Sequence, residues 1–167
     1  NVLLSKGITH VQLYSFAHLS LGFLFGYIFR ERTGFNLDIE QISRSSRNMW
    51  STNALPEENP LNMSLFEGDL SSQHLCIKIN LMSQDDKSIV TFCKQDGLSY
   101  RAFLEVSPPS YPFFISSGQA IAIARELTDK IKQMNAQYGT NTVHMFAAFP
   151  LGLSLLIGYN LNACGKV

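Results

Sequence analysis

One pattern occurs twice in this chain. Val11–Tyr27 aligns without a gap to Val143–Tyr159, an offset of 132 residues. Leu13 falls on Met145, Tyr14 on Phe146, Leu19 on Leu151, Leu21 on Leu153, Leu24 on Leu156 and Phe25 on Ile157, and Gly26-Tyr27 falls on Gly158-Tyr159. Self-similarity at a fixed offset reports architecture directly. Two copies are too few for a solenoid. They predict two similar half-domains facing each other, whose equivalent loops converge on a ligand with an approximate symmetry of its own. The first half with its connection falls in residues 1–62 and the second in 63–167.

Each copy parses as a short buried strand, a break and an apolar helix. Val11–Phe29 has no Asp, Glu, Lys or Arg over 19 residues, which meets the length needed for a membrane span. A two-span membrane protein is therefore an alternative. Against it, the first copy contains Gln12, Ser15, His18 and Ser20, the second contains His144, Pro150 and Asn160, and the copies break at 15–18 and 147–150. Buried parallel strands read as continuous apolar runs, so a β-α unit imitates a span.

Hydrophobic residues at 46% are ample for a core, while 16% charged residues is low for a free domain. That deficit predicts surface covered by another domain or another copy. The formal net charge is zero, which argues against a broad phosphate-binding face for duplex nucleic acid. Cys76, Cys93 and Cys164 are odd in number and unclustered, as in a cytosolic protein with reduced thiols. No signal peptide is evident, and the chain reads as a fragment of a longer polypeptide.

The rest of the pattern predicts an α/β fold. Strands are expected at 8–15, 35–41, 74–83, 88–93, 100–106 and 142–148, with a further strand starting at Lys166. Helices are expected at 18–31, 116–137 and 150–162. The clearest is 116–137, with Ile121, Ala124, Leu127, Ile131 and Met134 in one stripe, a Ser cap and Gly139 at its exit. Residues 43–73 are the least regular and read as the connection between halves.

No nucleophile elbow, phosphate-cradling Gly-rich loop, zinc spacing or dinucleotide fingerprint occurs. The carboxylates show no catalytic pairing. His10, His18, His74 and His144 are too scattered for a metal site, and His10 and His74 read as satisfied strand residues. An enzyme within these residues is therefore not expected, nor a metal or cofactor. Ligands of open parallel sheets bind beyond the carboxyl ends of strands, where helix N-termini offer N–H groups and a positive dipole end. Ser15, Phe16, Ala17 and His18 stand at one such turn, and Ala148, Phe149 and Pro150 at the other. Phe16 and Phe149 suit either base stacking or core packing.

The run Thr142-Val-His144-Met-Phe146-Ala-Ala148-Phe-Pro150, followed by an apolar helix with Gly158 near its end, resembles the signature of the SAVED sensor domains. The preceding helix, the strand at 74–83 and the run 35–41 followed by Trp50 are similar in order and spacing. The resemblance implies two fused, pseudo-two-fold-related halves. Each half is CARF-like (Rossmann-like), with a mainly parallel central sheet and flanking helices. It also implies a cytoplasmic bacterial protein of anti-phage defence (CBASS and CRISPR-linked systems). Such a protein binds a cyclic di- or oligonucleotide, assembles into a homo-oligomer or filament and activates a fused or associated effector. A ring-cleaving enzyme is the other alternative. Ser15, Phe16, Ala17 and His18 would form one lip, and Met82, Ser83 and Gln84 another. Ala148, Phe149 and Pro150 would line the floor, with Gln41 and Trp50 as further contacts; Trp50 reads alternatively as a hydrophobic plug under the long connection, and Arg101 as either a phosphate counter-charge or an exposed strand cation. Two departures make the halves unequal: His18 stands opposite Pro150, and Gln12 opposite His144.

Overall fold

A computed structural model describes residues 2–14, 18–30, 33–42, 47–82 and 97–161. Two compact units emerge. One takes its described residues from 1–59, 115–128 and 150–162, the other from 60–114 and 129–149.

The first unit opens with α1 (Val2–Ser5), β1 (His10–Leu13), α2 (Leu19–Ile28), β2 (Asn36–Ile42) and β3 (Arg47–Ser51). β1 pairs parallel to β2 from His10↔Asn36 to Leu13↔Ile39, and β2 pairs antiparallel to β3 from Asp38↔Ser51 to Ile42↔Arg47. β2 alternates as its sequence predicts: Leu37 and Ile39 are buried, while Asp38 turns out to bond His10 Nε2 at 2.8 Å. Phe35 anchors the strand's start, its ring edge-on to Phe29 at 5.1 Å. β3 lies in the stretch expected to be irregular. Only Trp50 of its five residues is buried, so no period-two apolar signal marks it; pairing with β2 makes the strand.

The stretch with the length of a membrane span thus holds a four-residue strand and a ten-residue helix, as its strand–break–helix parse predicts. Among the described residues, no helix is long and apolar enough to cross a membrane.

The second unit holds a four-stranded sheet in the order β4-β6-β5-β7, built from β4 (Asn62–Glu67), β5 (His74–Asn80), β6 (Ala102–Ser107) and β7 (Thr142–Ala148). β5 runs parallel to both β6 and β7, and β4 closes the edge antiparallel to β6. The alternation in β5 predicts a half-buried strand, yet both faces are covered. Leu75, Ile77 and Ile79 lie on one face; Cys76, Lys78 and Asn80 on the other are also buried. Lys78 is 3% exposed and its Nζ donates to Glu105 Oε1 at 2.6 Å. His74 and His144 bond ring to ring, Nδ1 to Nε2, at 2.8 Å. Partial burial, and then the neighbouring His74, lower the His144 pKa. Asp69, in the turn before β5, has its pKa lowered by bonds from Ser71 and Ser99.

The long helix α3 spans Ser117–Tyr138. Its start is a capping box: Ser116 Oγ accepts the Gln119 N–H and Gln119 Oε1 accepts the Ser116 N–H, both at 3.0 Å. All five residues of its predicted stripe are buried. It ends at Gly139, whose φ of 65° is the left-handed conformation glycine adopts freely. The last helix, α4 (Leu151–Asn160), is buried from Gly152 to Tyr159. The strands expected at 88–93 and from Lys166 fall outside the described residues.

Candidate functional site

The helices of the two sequence copies, α2 and α4, pack on each other within the first unit. Glycine makes the seam. A Cβ on Gly26 would overlap the Leu155 carbonyl oxygen and lie 2.7 Å from the Tyr159 nitrogen. A Cβ on Gly158 would overlap the Phe23 carbonyl oxygen and lie 3.1 Å from its Cα. These are the two glycines that the repeat sets at equivalent positions. Gly22 meets Ser154, its own equivalent, and the Leu151 side chain. Contacts advance together along the pair, 22 with 151 and 154, then 26 with 155 and 159, so the helices run parallel. Both amino termini therefore lie at one end, and their positive dipole ends add.

The expectation of open N–H groups at these ends needs correction, because the chain satisfies much of both first turns. His18 is the N-cap of α2; its Nδ1 accepts the Ser20 N–H at 3.4 Å and lies 3.0 Å from Ser20 Oγ. That leaves Nε2 to carry the proton of the neutral ring. The His18 carbonyl takes the Leu21 N–H at 3.0 Å. Pro150, the N-cap of α4, has no side-chain acceptor to offer. Gln41 supplies one from β2: its Oε1 accepts the Gly152 N–H at 2.9 Å while its Nε2 donates to the Ile42 carbonyl at 3.0 Å. Gly152 and Ser20 are equivalent in the repeat, so the same amide is capped in both copies by different means. Gly152 must be glycine because a Cβ there would come within 2.6 Å of the Trp50 ring. Trp50 is 4% exposed. Gln41 and Trp50 thus brace the first turn of α4 in this structure: Trp50 is the buried plug of its alternative reading, whereas nothing in the sequence marked Gln41 as a cap.

The other named residues are placed as follows. Ser15, Phe16, Ala17, Ser83 and Gln84 lie outside the described residues. In the second unit, Phe149 is buried at 2%, Ala148 is half-buried and Met82, beyond the end of β5, is 67% exposed. The Leu81 N–H bonds the Ala148 carbonyl at 2.8 Å, extending the β5–β7 pairing to the strand tips. Arg101 precedes β6, at the opposite end of the sheet, and lies over the Tyr138 ring at 5.0 Å. It is therefore remote from the strand tips it was expected to serve. A cavity of about 280 Å³ in the first unit, lined by Asn36, Asn53, Arg125 and Asn160 among others, opens at the start of β2 and the end of α4, away from the helix N-termini. Among the described residues no group of His, Cys, Asp and Glu could hold a metal ion.

The model of the SMODS-associated and fused to various effectors sensor domain (SAVED) matches residues 3–167. The fold is similar to that of an Acinetobacter baumannii Cap4 SAVED/CARF-domain receptor solved with the cyclic trinucleotide 3′3′3′-cAAA, at TM-score 0.82 and 14% identity. The match covers 98% of this chain and 36% of the receptor. The same receptor with 2′3′3′-cAAA gives TM-score 0.79 at 14% identity, again over 98% of this chain and 36% of that one. A Moraxella osloensis Cap4 receptor gives 0.64 at 14% identity, over 98% of this chain and 34% of that one. This chain spans about a third of the length of these receptors. No curated protein matches it in sequence.

Proposed function

The chain belongs to the SAVED family of sensor domains, and from that premise we propose that it binds a cyclic oligonucleotide messenger of anti-phage signalling. The family match over residues 3–167 carries this reading. The paired amino ends of α2 and α4 support it, since two parallel positive ends suit a small anionic ring. The capping by His18 and Gln41 refines the expected contact mode. With much of each first turn already bonded, phosphate is attracted by the helix ends as a field, and side chains at the strand tips make the contacts. His18, exposed at the N-cap, and Met82, exposed beyond β5, are available for that role. Ser15, Phe16, Ala17, Ser83, Gln84, Ala148 and Pro150 complete the proposed lining, while Phe149, 2% exposed, takes the core-packing alternative.

Ring binding is proposed to assemble copies of the chain and to activate an effector lying in a fused or associated domain, so that catalysis belongs to the effector. The outer face of α2 supports assembly: Leu21, Leu24 and Ile28 are each more than half exposed on a helix without charge. Exposed apolar patches of this kind mark interaction surfaces. The test is a thermal-shift panel of cyclic di-, tri- and tetranucleotides with sizing before and after addition. One ring should raise the melting temperature and the apparent mass together. Silence across the panel would end the receptor reading; stabilisation without growth in mass would end only the assembly reading.

A further inference from the structure

We propose that Phe114 is a base-stacking platform of the ligand site, an inference that rests on the receptor reading above. Phe114 is 79% exposed, in the loop that leaves the carboxyl end of β6. β6 and β5 are adjacent parallel strands, and Ile79↔Val106 pairs them one residue before the ends of both. The loop therefore starts beside the tip of β5, the end of a parallel sheet at which ligands bind. It also bends back over that tip, since Tyr111 Oη donates to the Asn80 carbonyl at 2.7 Å. Phe114 stands three residues beyond Tyr111, so its ring is displayed from a loop tied to the β5 tip. Among the described residues, Met82, 67% exposed beyond β5, is another large apolar side chain displayed past these strand ends.

A ring so exposed gains by being covered, because covering it removes apolar surface from water. A nucleobase face is a fitting cover. It is flat, it needs no hydrogen-bond partner from Phe114, and stacking is insensitive to which base is offered. Leu70, 76% exposed in the turn that precedes β5, is at the wrong end of the sheet for this and serves as a control.

The experiment is calorimetry of the whole chain with 3′3′3′-cAAA and a panel of other cyclic di- to tetranucleotides, on wild type, Phe114→Ala, Phe114→Trp and Leu70→Ala. Phe114→Ala should weaken the best ring by roughly 5- to 150-fold, the range for loss of one base–aromatic stack, with an unchanged melting temperature. Phe114→Trp should bind at least as well as wild type and report the ring by a change in its emission, against a fixed background from the buried, single native Trp50. Leu70→Ala should bind like wild type. Wild-type binding with Phe114→Ala within twofold, or an unresponsive Phe114→Trp, would overturn the stacking role while leaving the receptor reading in place. Absence of wild-type binding to every ring would overturn both.

Discussion

Replacing Gly26 by alanine tests the helix seam by the sign of its effect. In a helix where position 26 only has to be helical, alanine stabilises by about 1 kcal/mol relative to glycine. Here the added methyl would enter the space of the Leu155 carbonyl and lie 2.7 Å from the Tyr159 nitrogen. Those are backbone atoms of a buried helix, so no side chain can rotate away and the helices must separate. Over-packing of this sort costs typically 1–3 kcal/mol, more when backbone must move. Taking the upper end and subtracting the helix-propensity gain leaves a net loss of about 2 kcal/mol, or roughly 4–8 °C in melting temperature for a chain of this size. Urea titration with thermal melting of wild type and Gly26→Ala measures it. Gly158→Ala, the equivalent position in the second copy, should behave alike because its methyl would enter the space of the Phe23 carbonyl. An alanine variant as stable as wild type, or more so, would refute the seam.

Other outcomes follow from single contacts. Gln41→Ala removes the acceptor on the Gly152 N–H and should lower stability by about 1 kcal/mol, the usual worth of a helix cap; an unchanged urea midpoint would show that water replaces it freely. Glu105→Ala strips the anion 2.6 Å from the buried Lys78 ammonium and should cost about 2 kcal/mol, the worth of a hydrogen bond to a charged group, whereas Lys78→Met with Glu105→Leu should recover most of that; a harmless Glu105→Ala would contradict the pairing. Stability should also fall on acidification in two stages. The lowered His144 pKa means that the unfolded chain takes up this proton first, so stability is present above roughly pH 6.5 and is lost as pH falls below it. The lowered Asp69 pKa has the same sign in a separate window, below roughly pH 4. His144→Gln should flatten the upper stage alone, seen in melting temperature against pH; an unchanged slope would remove His144 as its source.

The repeat was the most legible feature, and the structure gives its reason. Gly26 and Gly158 are alike because each must admit the other copy's backbone. The strong strands and α3 were legible because their burial is one-sided or continuous. β3 and β4 were not, since edge strands with few buried residues carry no periodic signal. Site residues were harder still. Gln41 lies 111 residues from the amide that it caps, and no spacing rule links a strand glutamine to a distant helix end. Proline at position 150 was the available clue: a helix N-cap without a side-chain acceptor leaves an amide for another residue to satisfy. Phe114 was missed for a related reason. Among 12 phenylalanines, its difference is exposure, a property of the folded loop.

The most direct test of the receptor reading is calorimetric titration of the chain with cyclic trinucleotides beside their linear, ring-opened counterparts. A SAVED sensor with its ligand site at the strand tips should bind at least one ring saturably, one ring per ligand site, and should bind the opened strand at least tenfold more weakly. Equal heats for ring and opened strand, or no heat from any ring, would contradict it.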